Sequence, residues 1–449
     1  MVWLGKLFGI FVMIALTNLD ILKLSVNMEW GMFATIFFGL LLCFIVVNML
    51  PNWKKQNFSR LGIMLGGETL IEICVIAFTL NFILGISYFT VLFPKLSFKP
   101  PVWNMILHIL LCFLFMGTLA LNGFIRMYIS SVQLGIKWRI LFLLFWWVPI
   151  LNLILLHKIC RIVKDEYDFE IEKKEQNKIR SINKTCETKY PIVLVHGVFF
   201  RDRKCFNYWG RVPRELMCNG AEIFYGKQQS AAKTEDAAAE LKNNIMQIIQ
   251  KTGCEKVNII AHSKGGLESR YAISQLGLSP YVASLTTINT PHHGCTFVDW
   301  LLEKMPKCIC NWLTKRYNTI MKSLGDTNPD FYAAICNLTS HYCEIFNREV
   351  PDAPNVFYQS VGSKMKSWYS APFPLNLSYL FVRCFEKEND GLVSIDSMKW
   401  GSHFRMASTN GHRGITHGDM IDLNRQNING FDVREFYVEL VQELKHQGF

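Results

Sequence analysis

The first third of the chain is dominated by long runs of apolar residues with few charges. A helix needs about 20 mostly apolar residues to cross a bilayer, because each residue adds ~1.5 Å across a hydrocarbon core of ~30 Å. Four stretches meet this length: residues 30–50, 70–93, 102–125 and 138–157. Tryptophans lie at or near their ends, where an amphipathic ring prefers the membrane interface. The pattern predicts a membrane domain over residues 1–157 with four transmembrane helices.

A further apolar stretch, residues 4–22, precedes these four. Asp20 and Lys23 close it early, and Lys6 precedes it as in a signal peptide, but no small-residue cleavage site follows. We expect an uncleaved fifth span, with an interfacial helix as the alternative. Lys and Arg residues in the loops number six on each predicted side of the membrane, so the orientation stays undecided.

The pattern changes after residue 157. Residues 158–189 mix Lys, Arg, Glu and Asp with few large apolar residues, which is typical of a solvated helical linker. A short apolar run at residues 191–195 and the mostly apolar residues 257–261 then predict buried strands. A helical repeat lies between them, at Leu241, Ile245 and Ile249. We therefore expect an α/β domain over residues 190–449.

The second predicted strand leads directly into a turn that contains Ser263 and then into a helix. This is the setting of a nucleophile elbow, a strained turn that needs small residues on both sides of the serine. Ala261 and Gly265 occupy these positions, and the following helix N-terminus favours a developing oxyanion. Ser263 is the candidate nucleophile. The backbone N–H groups of Lys264 and Val198 are the candidate oxyanion donors, so we expect substitution of either side chain to be mild.

A serine hydroxyl needs a nearby base, which is itself oriented by a carboxylate, and in this setting the order along the chain is Ser, Asp, His. Asp390 lies in a polar turn before apolar residues, as expected for an acid at a strand end, and Glu388 is the alternative. His417 lies in a loop that enters an apolar segment, and His412 and His403 are competing bases.

Composition and charge narrow the class of protein. The formal charge is +11, and the part before His157 holds 10 Lys and Arg residues against 4 acids, mostly beside apolar runs. Such flanking charges suit anionic lipid headgroups. The remainder has no basic stripe with interleaved aromatic residues, so we expect no nucleic-acid partner. The 14 cysteines have scattered spacings that indicate neither a disulfide framework nor a zinc site.

With these residues in place, the C-terminal half resembles the bacterial triacylglycerol lipases of the pseudomonad type and their staphylococcal relatives. The match covers about residues 190–423, roughly half the chain. It runs in order through motifs at residues 190–197, 256–267, 283–294, 389–393 and 417–420, with the pair Arg270-Tyr271 after the second. Several motifs in one order are far more specific than the elbow alone.

The resemblance implies a doubly wound α/β-hydrolase fold with a mostly parallel sheet. It implies that Ser263, Asp390 and His417 form the catalytic triad. It also implies that Val198 and Lys264 form the oxyanion hole.

The resemblance further implies a mobile helical lid over residues 296–347, whose apolar residues suit a lipid interface, with ordinary core packing as the alternative. Relatives often hold a structural calcium ion through a carboxylate two positions after the catalytic histidine, which here is Asp419. The second carboxylate of that site has no evident counterpart, so we expect no metal, and Asp419 is a weak calcium candidate or a turn cap. The membrane anchor is a departure, because these relatives are usually secreted and soluble.

The sequence therefore predicts a membrane-anchored serine hydrolase, multi-pass in the cell membrane, that cleaves carboxylic ester bonds of lipids through an acyl-enzyme. An acyltransferase or thioesterase with the same triad is the enzymatic alternative. A membrane transporter or sensor with a degenerate hydrolase domain is the alternative from another class, and it predicts that Glu72→Gln abolishes function. The expected partners are a lipid or ester substrate and the bilayer.

Overall fold

The computed structural model of this chain describes residues 2–53, 58–88, 90, 102–198 and 207–449. The chain forms two compact units, Met1–Glu175 and Gln176–Phe449. The division falls inside one continuous helix, α7 (Leu151–Asn183), which covers most of the segment that the sequence predicts as a helical linker.

The described part of the first unit is helical. Before α7 its helices are α1 (Val2–Thr17), α2 (Leu19–Val26), α3 (Trp30–Met49), α4 (Arg60–Ser87), α5 (Val102–Ser130) and α6 (Gly135–Phe145). Of the described helices, α3, α4 and α5 are long and apolar enough to cross a membrane. The pair α1 and α2, bent by 55°, counts as a fourth only if the two form one span. Residues 89 and 91–93, at the end of the second predicted stretch, lie outside the described residues.

The last apolar stretch differs from its prediction. Residues 138–157 are divided between α6 and α7 by a turn over residues 146–150. Pro149 has no N–H group to donate within a helix, and Ile150 adopts a positive φ of 66°. The structure therefore has two helices where the sequence predicts one.

The second unit contains a parallel sheet. Its strands are β1 (Ile192–Val195), β2 (Ile223–Tyr225), β3 (Val257–His262), β4 (Val282–Ile288), β5 (Phe357–Gly362) and β6 (Phe404–Met406). In the described residues they form a six-stranded sheet in the order β2-β1-β3-β4-β5-β6, and every neighbouring pair is parallel. The predicted parallel α/β architecture is confirmed.

Helices cover both faces of this sheet. The described helices of the second unit after α7 are α8 (Val212–Cys218), α9 (Thr234–Thr252), α10 (Lys264–Gln275), α11 (Thr296–Lys304), α12 (Lys307–Ser323), α13 (Phe331–Cys336), α14 (Ser340–Glu349), α15 (Leu375–Arg383), α16 (Ile395–Met398) and α17 (Val433–His446). Apolar residues of α8 and α17 pack on one face of the sheet, and those of α9 and α10 pack on the other. The predicted lid region corresponds to α11, α12, α13 and most of α14, inserted between β4 and β5.

The strands of a parallel sheet all end at one edge, and ligand sites of such sheets lie beyond this edge. The loops after β1, β3 and β4 contain Val198, Ser263 and Asn289. The loop after β6 contains His417. The topology thus brings residues from distant parts of the chain to the same edge.

Candidate active site

The turn between β3 and α10 holds Ser263 in a strained conformation. Its backbone has φ 55° and ψ −133°, a region that a residue with a Cβ atom adopts only when its surroundings enforce it. The Ser263 N–H donates to the Ile288 carbonyl at 2.9 Å, and the Thr290 hydroxyl donates to the Ser263 carbonyl at 2.8 Å. Hydrogen bonds with Ile288, the last residue of β4, and with Thr290, two positions later, therefore hold the turn.

Close packing behind the turn depends on Gly265. A Cβ atom on this residue would lie 2.4 Å from the carbonyl oxygen of His196, which follows β1. An atom cannot sit at that distance unless the backbone shifts, so glycine is what allows α10 to lie against the end of β1. This close approach is the physical reason why a small residue is needed at position 265, as the sequence predicts.

Asp390 and His417 form a buried hydrogen-bonded pair. His417 Nδ1 lies 2.6 Å from Asp390 Oδ2, and the carboxylate is buried. The same oxygen accepts a hydrogen bond from Asn289 Nδ2 at 2.7 Å. The other oxygen accepts from the backbone N–H groups of Leu392 and Val393, at 2.9 and 2.8 Å. A carboxylate held in this way keeps the proton of the imidazole on Nδ1 and leaves Nε2 to act as a base.

The other acid and base candidates lie elsewhere. Glu388 is exposed and forms an ion pair with Lys364. His412 and His403 are both exposed, and the His403 ring lies 5.1 Å from the Phe357 ring. None of these three candidates lines the cavity that contains Ser263.

Ser263 and His417 share the wall of one cavity of about 360 Å³. Among the described residues no hydrogen bond joins the Ser263 hydroxyl to the His417 ring, but the two groups face the same space. Val198 also lines this space. The rest of the wall is mostly apolar and comes largely from α11, α12 and α13, with Val298, Leu301, Leu302, Leu313, Phe331 and Ile335 among its residues. A cavity of this composition suits a hydrocarbon group.

The candidate oxyanion donors come from two segments, the loop after β1 and the residue directly after Ser263. Within the described part of the chain, the backbone N–H groups of Val198 and Lys264 have no acceptor. The Lys264 N–H belongs to the first turn of α10, where N–H groups lack partners inside the helix. The Val198 carbonyl accepts a hydrogen bond from the Tyr317 hydroxyl of α12 at 3.2 Å. The lid region therefore contacts the loop that carries one of the two candidate donors.

A chain of hydrogen bonds, not predicted from the sequence, links the Val198 loop to the His417 loop. The Gly197 N–H donates to the Tyr208 hydroxyl at 3.0 Å, and this hydroxyl contacts His262 Nδ1 at 2.7 Å. His262 Nε2 lies 3.2 Å from the His417 carbonyl, which only accepts hydrogen bonds. Burial, together with the neighbouring His417 ring, holds the pKa of His262 well below its usual range. The ring is therefore neutral, with its proton on Nε2 and Nδ1 accepting from Tyr208.

Two of these missed residues had a weak signal in the sequence. His262 is a polar residue at the end of a mostly apolar strand, directly before Ser263. Asn289 directly follows β4, and it adopts a positive φ of 48°. Tyr208 lies in a loop outside the sequence motifs, so only the fold shows its role.

The side chain of Lys264 is part of a buried network. Its ammonium group lies 2.6 Å from Glu268 Oε1 and donates to the Ala232 carbonyl at 2.9 Å. Gln228 Nε2 donates to the other oxygen of Glu268 at 3.0 Å. Removing one partner of a buried ion pair leaves an uncompensated charge, at a cost of about 3–5 kcal/mol. The sequence predicts a mild effect for substitution of this side chain, whereas the buried network predicts a loss of stability.

Asp419, the calcium candidate, is engaged by other groups. Arg413 Nη2 lies 2.8 and 3.0 Å from its two carboxylate oxygens, and the Thr416 N–H donates to it at 2.9 Å. Burial raises the pKa of Asp419, and Arg413 opposes this shift. Calcium requires about 6–8 oxygen ligands, whereas no group of three or more His, Cys, Asp or Glu residues in the described chain could hold a metal. These residues do not fit a calcium site. Asp419 instead anchors the loop that contains His417.

The fold and site geometry define an α/β protein with a buried Asp–His pair beside a strained serine. Comparison with known proteins agrees with this class. Residues 189–333 match a family model described as "Putative serine esterase (DUF676)". The chain is similar to triacylglycerol lipase 2 of Saccharomyces cerevisiae, with 29% identity over 256 residues that cover 54% of this chain and 74% of the yeast protein.

Bacterial proteins give further matches. A triacylglycerol lipase of Pseudarthrobacter phenanthrenivorans is 32% identical over 180 residues, which cover 37% of this chain and 55% of that protein. Among solved structures, the mature form of Bacillus licheniformis lipase BlEst2 aligns with a TM-score of 0.42 and 21% identity, over 57% of this chain and 92% of that chain. The sequence relatives and the family model indicate an ester-hydrolysing enzyme, as the sequence predicts.

Proposed function

We propose that this chain is a membrane-anchored serine hydrolase that cleaves carboxylic ester bonds of lipids. The single observation that carries the proposal is the Asp390–His417 pair, whose histidine lines the same apolar cavity as Ser263. Ser263 is the nucleophile, His417 the general base and acid, and Asp390 the group that orients the imidazole. The backbone N–H groups of Val198 and Lys264 stabilise the oxyanion.

The reaction follows from these positions. The Ser263 hydroxyl adds to the ester carbonyl carbon while His417 Nε2 takes its proton, and the two N–H groups stabilise the negative oxygen. Collapse of this intermediate breaks the bond to the alcohol, which leaves with the proton from His417. Water then adds to the acyl-enzyme in the same way. The products are a carboxylic acid and the free serine.

The apolar wall of the cavity that contains Ser263 indicates that this cavity binds an acyl chain. Its wall offers side chains such as Leu301, Leu302 and Leu313, whose contacts with hydrocarbon are favourable and not directional. We therefore assign the substrate to the esters of fatty acids, including acylglycerols and other lipids of the membrane. The names of the relatives agree with this class.

The membrane anchor rests on α3, α4 and α5, which are long and apolar enough to cross a bilayer. Extraction of membranes with alkaline carbonate tests the anchor: the chain stays in the membrane pellet if the helices span the bilayer and is released if they do not. Protease treatment of intact cells then assigns the side, because cleavage only after permeabilisation places the catalytic unit inside.

The first experiment measures hydrolysis of p-nitrophenyl esters of increasing chain length by the detergent-purified full chain. We expect activity that rises with chain length and is lost in Ser263→Ala. The matched control is Ser274→Ala, which removes a half-buried serine hydroxyl near the end of α10, the helix that follows Ser263, and should leave activity unchanged. Equal activity in wild type and Ser263→Ala refutes the proposal. Acyl transfer to an added alcohol in preference to water points to the transferase instead.

A second experiment tests the acyl-binding cavity. Leu302→Trp adds volume to the cavity wall and should lower kcat/KM for long-chain esters by more than tenfold relative to acetate, because one hydrophobic subsite carries about 1–3 kcal/mol of discrimination. Gln250→Trp, at an exposed position of α9, serves as the control. An unchanged chain-length preference in Leu302→Trp contradicts this cavity assignment without affecting the assignment of Ser263.

A further inference from the structure

A second pair of an acid and a histidine lies in the first unit of the chain. His108 Nδ1 of α5 lies 3.0 Å from Asp20 Oδ1 of α2. Both side chains are largely buried, with 18% and 17% of their surface exposed. Ionisable side chains are costly among apolar helices, and they occur there mainly where they have a function. The surroundings of this pair are therefore a candidate functional site.

The other nitrogen of the imidazole faces a thiol. Cys112 follows His108 by four residues on α5, so the two side chains lie on one face of the helix. Cys112 Sγ lies 3.7 Å from His108 Nε2. A carboxylate only accepts hydrogen bonds, so the Nδ1 that faces Asp20 carries a proton and Nε2 of a neutral ring accepts from the thiol. Nucleophile, base and orienting acid thus stand in line.

The thiol and the imidazole line a cavity of about 450 Å³ between α4 and α5. Among the described residues, Asp20 is not part of this wall. The cavity that contains Ser263 is built in the same way, since its nucleophile and base line the wall and its acid does not. A contact that only joined α2 to α5 would require neither the thiol nor the cavity beside it. The rest of the wall is mostly apolar and includes Phe78, Phe82, Ile86, Ile109, Phe113 and Met116.

Hydrogen bonds between the first helices and α4 hold the carboxylate in place. Asn18 Nδ2 donates to Asn81 Oδ1 at 2.5 Å, and the Thr17 hydroxyl donates to the same oxygen at 3.2 Å. Asn18 directly precedes α2, and Asp20 lies in the first turn of that helix. The chain bends by 55° between α1 and α2. These bonds fix the bend, and the bend fixes the position of Asp20.

The position of Cys112 limits the kind of acyl donor. It lies in the interior of α5, where each backbone N–H already bonds to the carbonyl four residues earlier. Such a position offers no free N–H group to an oxyanion, so an ordinary ester is a poor substrate there. A thioester has a more electrophilic carbonyl and a better leaving group. The apolar cavity suits a hydrocarbon chain, so the donor that fits is a thioester of a long-chain fatty acid.

We propose that Cys112 is a second nucleophile of this chain and takes a long-chain acyl group from a fatty acyl thioester. Its sulfur adds to the carbonyl carbon while its proton passes to His108 Nε2, and Asp20 positions the imidazole. The bond between this carbon and the donor sulfur then breaks, and the leaving thiol takes the proton. One thioester bond forms and one breaks, so no oxidant is needed. The acyl chain occupies the cavity between α4 and α5. This reaction does not depend on the chemistry proposed for Ser263.

Labelling with alkyne-tagged hexadecanoyl coenzyme A tests the proposal. The detergent-purified full chain carries Ser263→Ala, so an acyl group on that serine cannot contribute. Neutral hydroxylamine cleaves thioesters and leaves oxygen esters intact, and peptide mass spectrometry locates the label. We expect a hydroxylamine-sensitive label on Cys112. Absence of this label, or a label spread evenly over the cysteines, refutes the proposal.

Cysteine variants of this chain show whether the label requires the thiol. Cys112→Ala and Cys112→Ser should both lose the hydroxylamine-sensitive label, and the serine variant keeps the size of the side chain. Cys43→Ala, at another half-buried cysteine of an apolar helix, is the matched control and should keep it. Thermal unfolding midpoints confirm that the variants are folded. Equal labelling of Cys112→Ser and Cys43→Ala contradicts the assignment.

The rate of labelling tests the roles of the histidine and the acid. His108→Ala should slow it by about 100-fold, because a general base contributes at least that much. Added imidazole should restore part of this rate, which a purely structural histidine would not allow. Asp20→Asn should slow labelling about tenfold, since one hydrogen bond to the imidazolium is weakened, and Asp20→Glu should recover most of the loss. Unchanged rates in His108→Ala and Asp20→Asn would mean that these side chains only join helices, and would overturn the proposal.

Discussion

The two sides of the Ser263 cavity are built in opposite ways. On the polar side, Asp390, His417 and His262 are buried, and each hydrogen-bonds to defined partners. On the apolar side, α11, α12 and α13 supply mostly hydrocarbon, and residues of the same helices remain exposed. Hydrogen bonds have preferred distances and angles, whereas apolar contacts do not. The polar side therefore specifies where the reacting atoms lie, and the apolar side specifies only the size and polarity of the substrate.

Among the substitutions on the polar side of the cavity, Asp390→Asn should have the largest effect on kcat. Asparagine cannot stabilise the imidazolium ion and favours the wrong tautomer of His417, so we expect kcat to fall by about 10⁴-fold. Steady-state hydrolysis of a p-nitrophenyl ester is the measurement. Asp396→Asn, whose side chain is 90% exposed, is the control and should keep wild-type activity. A loss below tenfold in Asp390→Asn would show that another carboxylate orients the base.

Gly265→Ala tests whether packing behind the turn holds the serine in place. The new Cβ atom meets the His196 carbonyl at 2.4 Å, and relieving this clash should cost about 3 kcal/mol, together with most of the activity. Thermal unfolding of the detergent-purified chain measures the change. Gly448→Ala, where the Cβ atom meets open space and only the positive φ of 88° opposes the change, should lower the midpoint less. Equal midpoints for both variants contradict the close approach of α10 to β1.

Tyr208→Phe tests how the polar side is held together, because it removes the hydroxyl group that links the Val198 loop to the His417 loop. The Gly197 N–H and His262 Nδ1 then lose their partner, and an unpaired buried group costs about 1–3 kcal/mol. We expect kcat to fall about tenfold while KM stays constant, since the cavity wall is unchanged. Tyr281→Phe, at a half-exposed tyrosine, is the control. A rise in KM alone would assign Tyr208 to substrate binding instead of positioning.

Acid should weaken the fold through another buried histidine, His292, which follows β4 and whose Nε2 lies 3.0 Å from the Thr287 hydroxyl. Burial, with the nearby Arg270 charge, holds the pKa of His292 well below its usual range. Below about pH 6.5 the unfolded chain binds a proton that the folded chain does not, so stability falls as the pH falls. His292→Gln should reduce this slope by about 1.4 kcal/mol per pH unit. Denaturant midpoints of both chains across this range provide the test, and parallel curves would mean that His292 is protonated in the fold.

Removal of metal should have the smallest effect. Arg413 already neutralises Asp419 on the polar side, so neither a chelator nor added calcium should shift the thermal midpoint or the activity. Added magnesium controls for ionic strength. A rise in the midpoint that is specific to calcium would show that the ion displaces Arg413.

Several features of the molecule depend on neighbouring residues alone, and these could be predicted from the sequence. The strand before Ser263, the turn and the helix after it follow from a local pattern of apolar and small residues. The apolar stretches that became α3, α4 and α5 are equally local, because membrane crossing depends on length and polarity. The sequence pattern does not predict the turn that divides α6 from α7, because the high average hydrophobicity of residues 138–157 conceals the effect of Pro149.

The remaining features depend on contacts between residues far apart in the chain. Asn289 reaches Asp390 across 101 positions, and Tyr208 reaches His262 across 54. No spacing rule relates such pairs, because the strand order of the sheet decides which loops meet at its edge. The sequence by itself determined the class of chemistry and its candidate residues. Only the tertiary structure decided which of them share one cavity, and that Arg413 engages Asp419, since side-chain partners are chosen by packing in space.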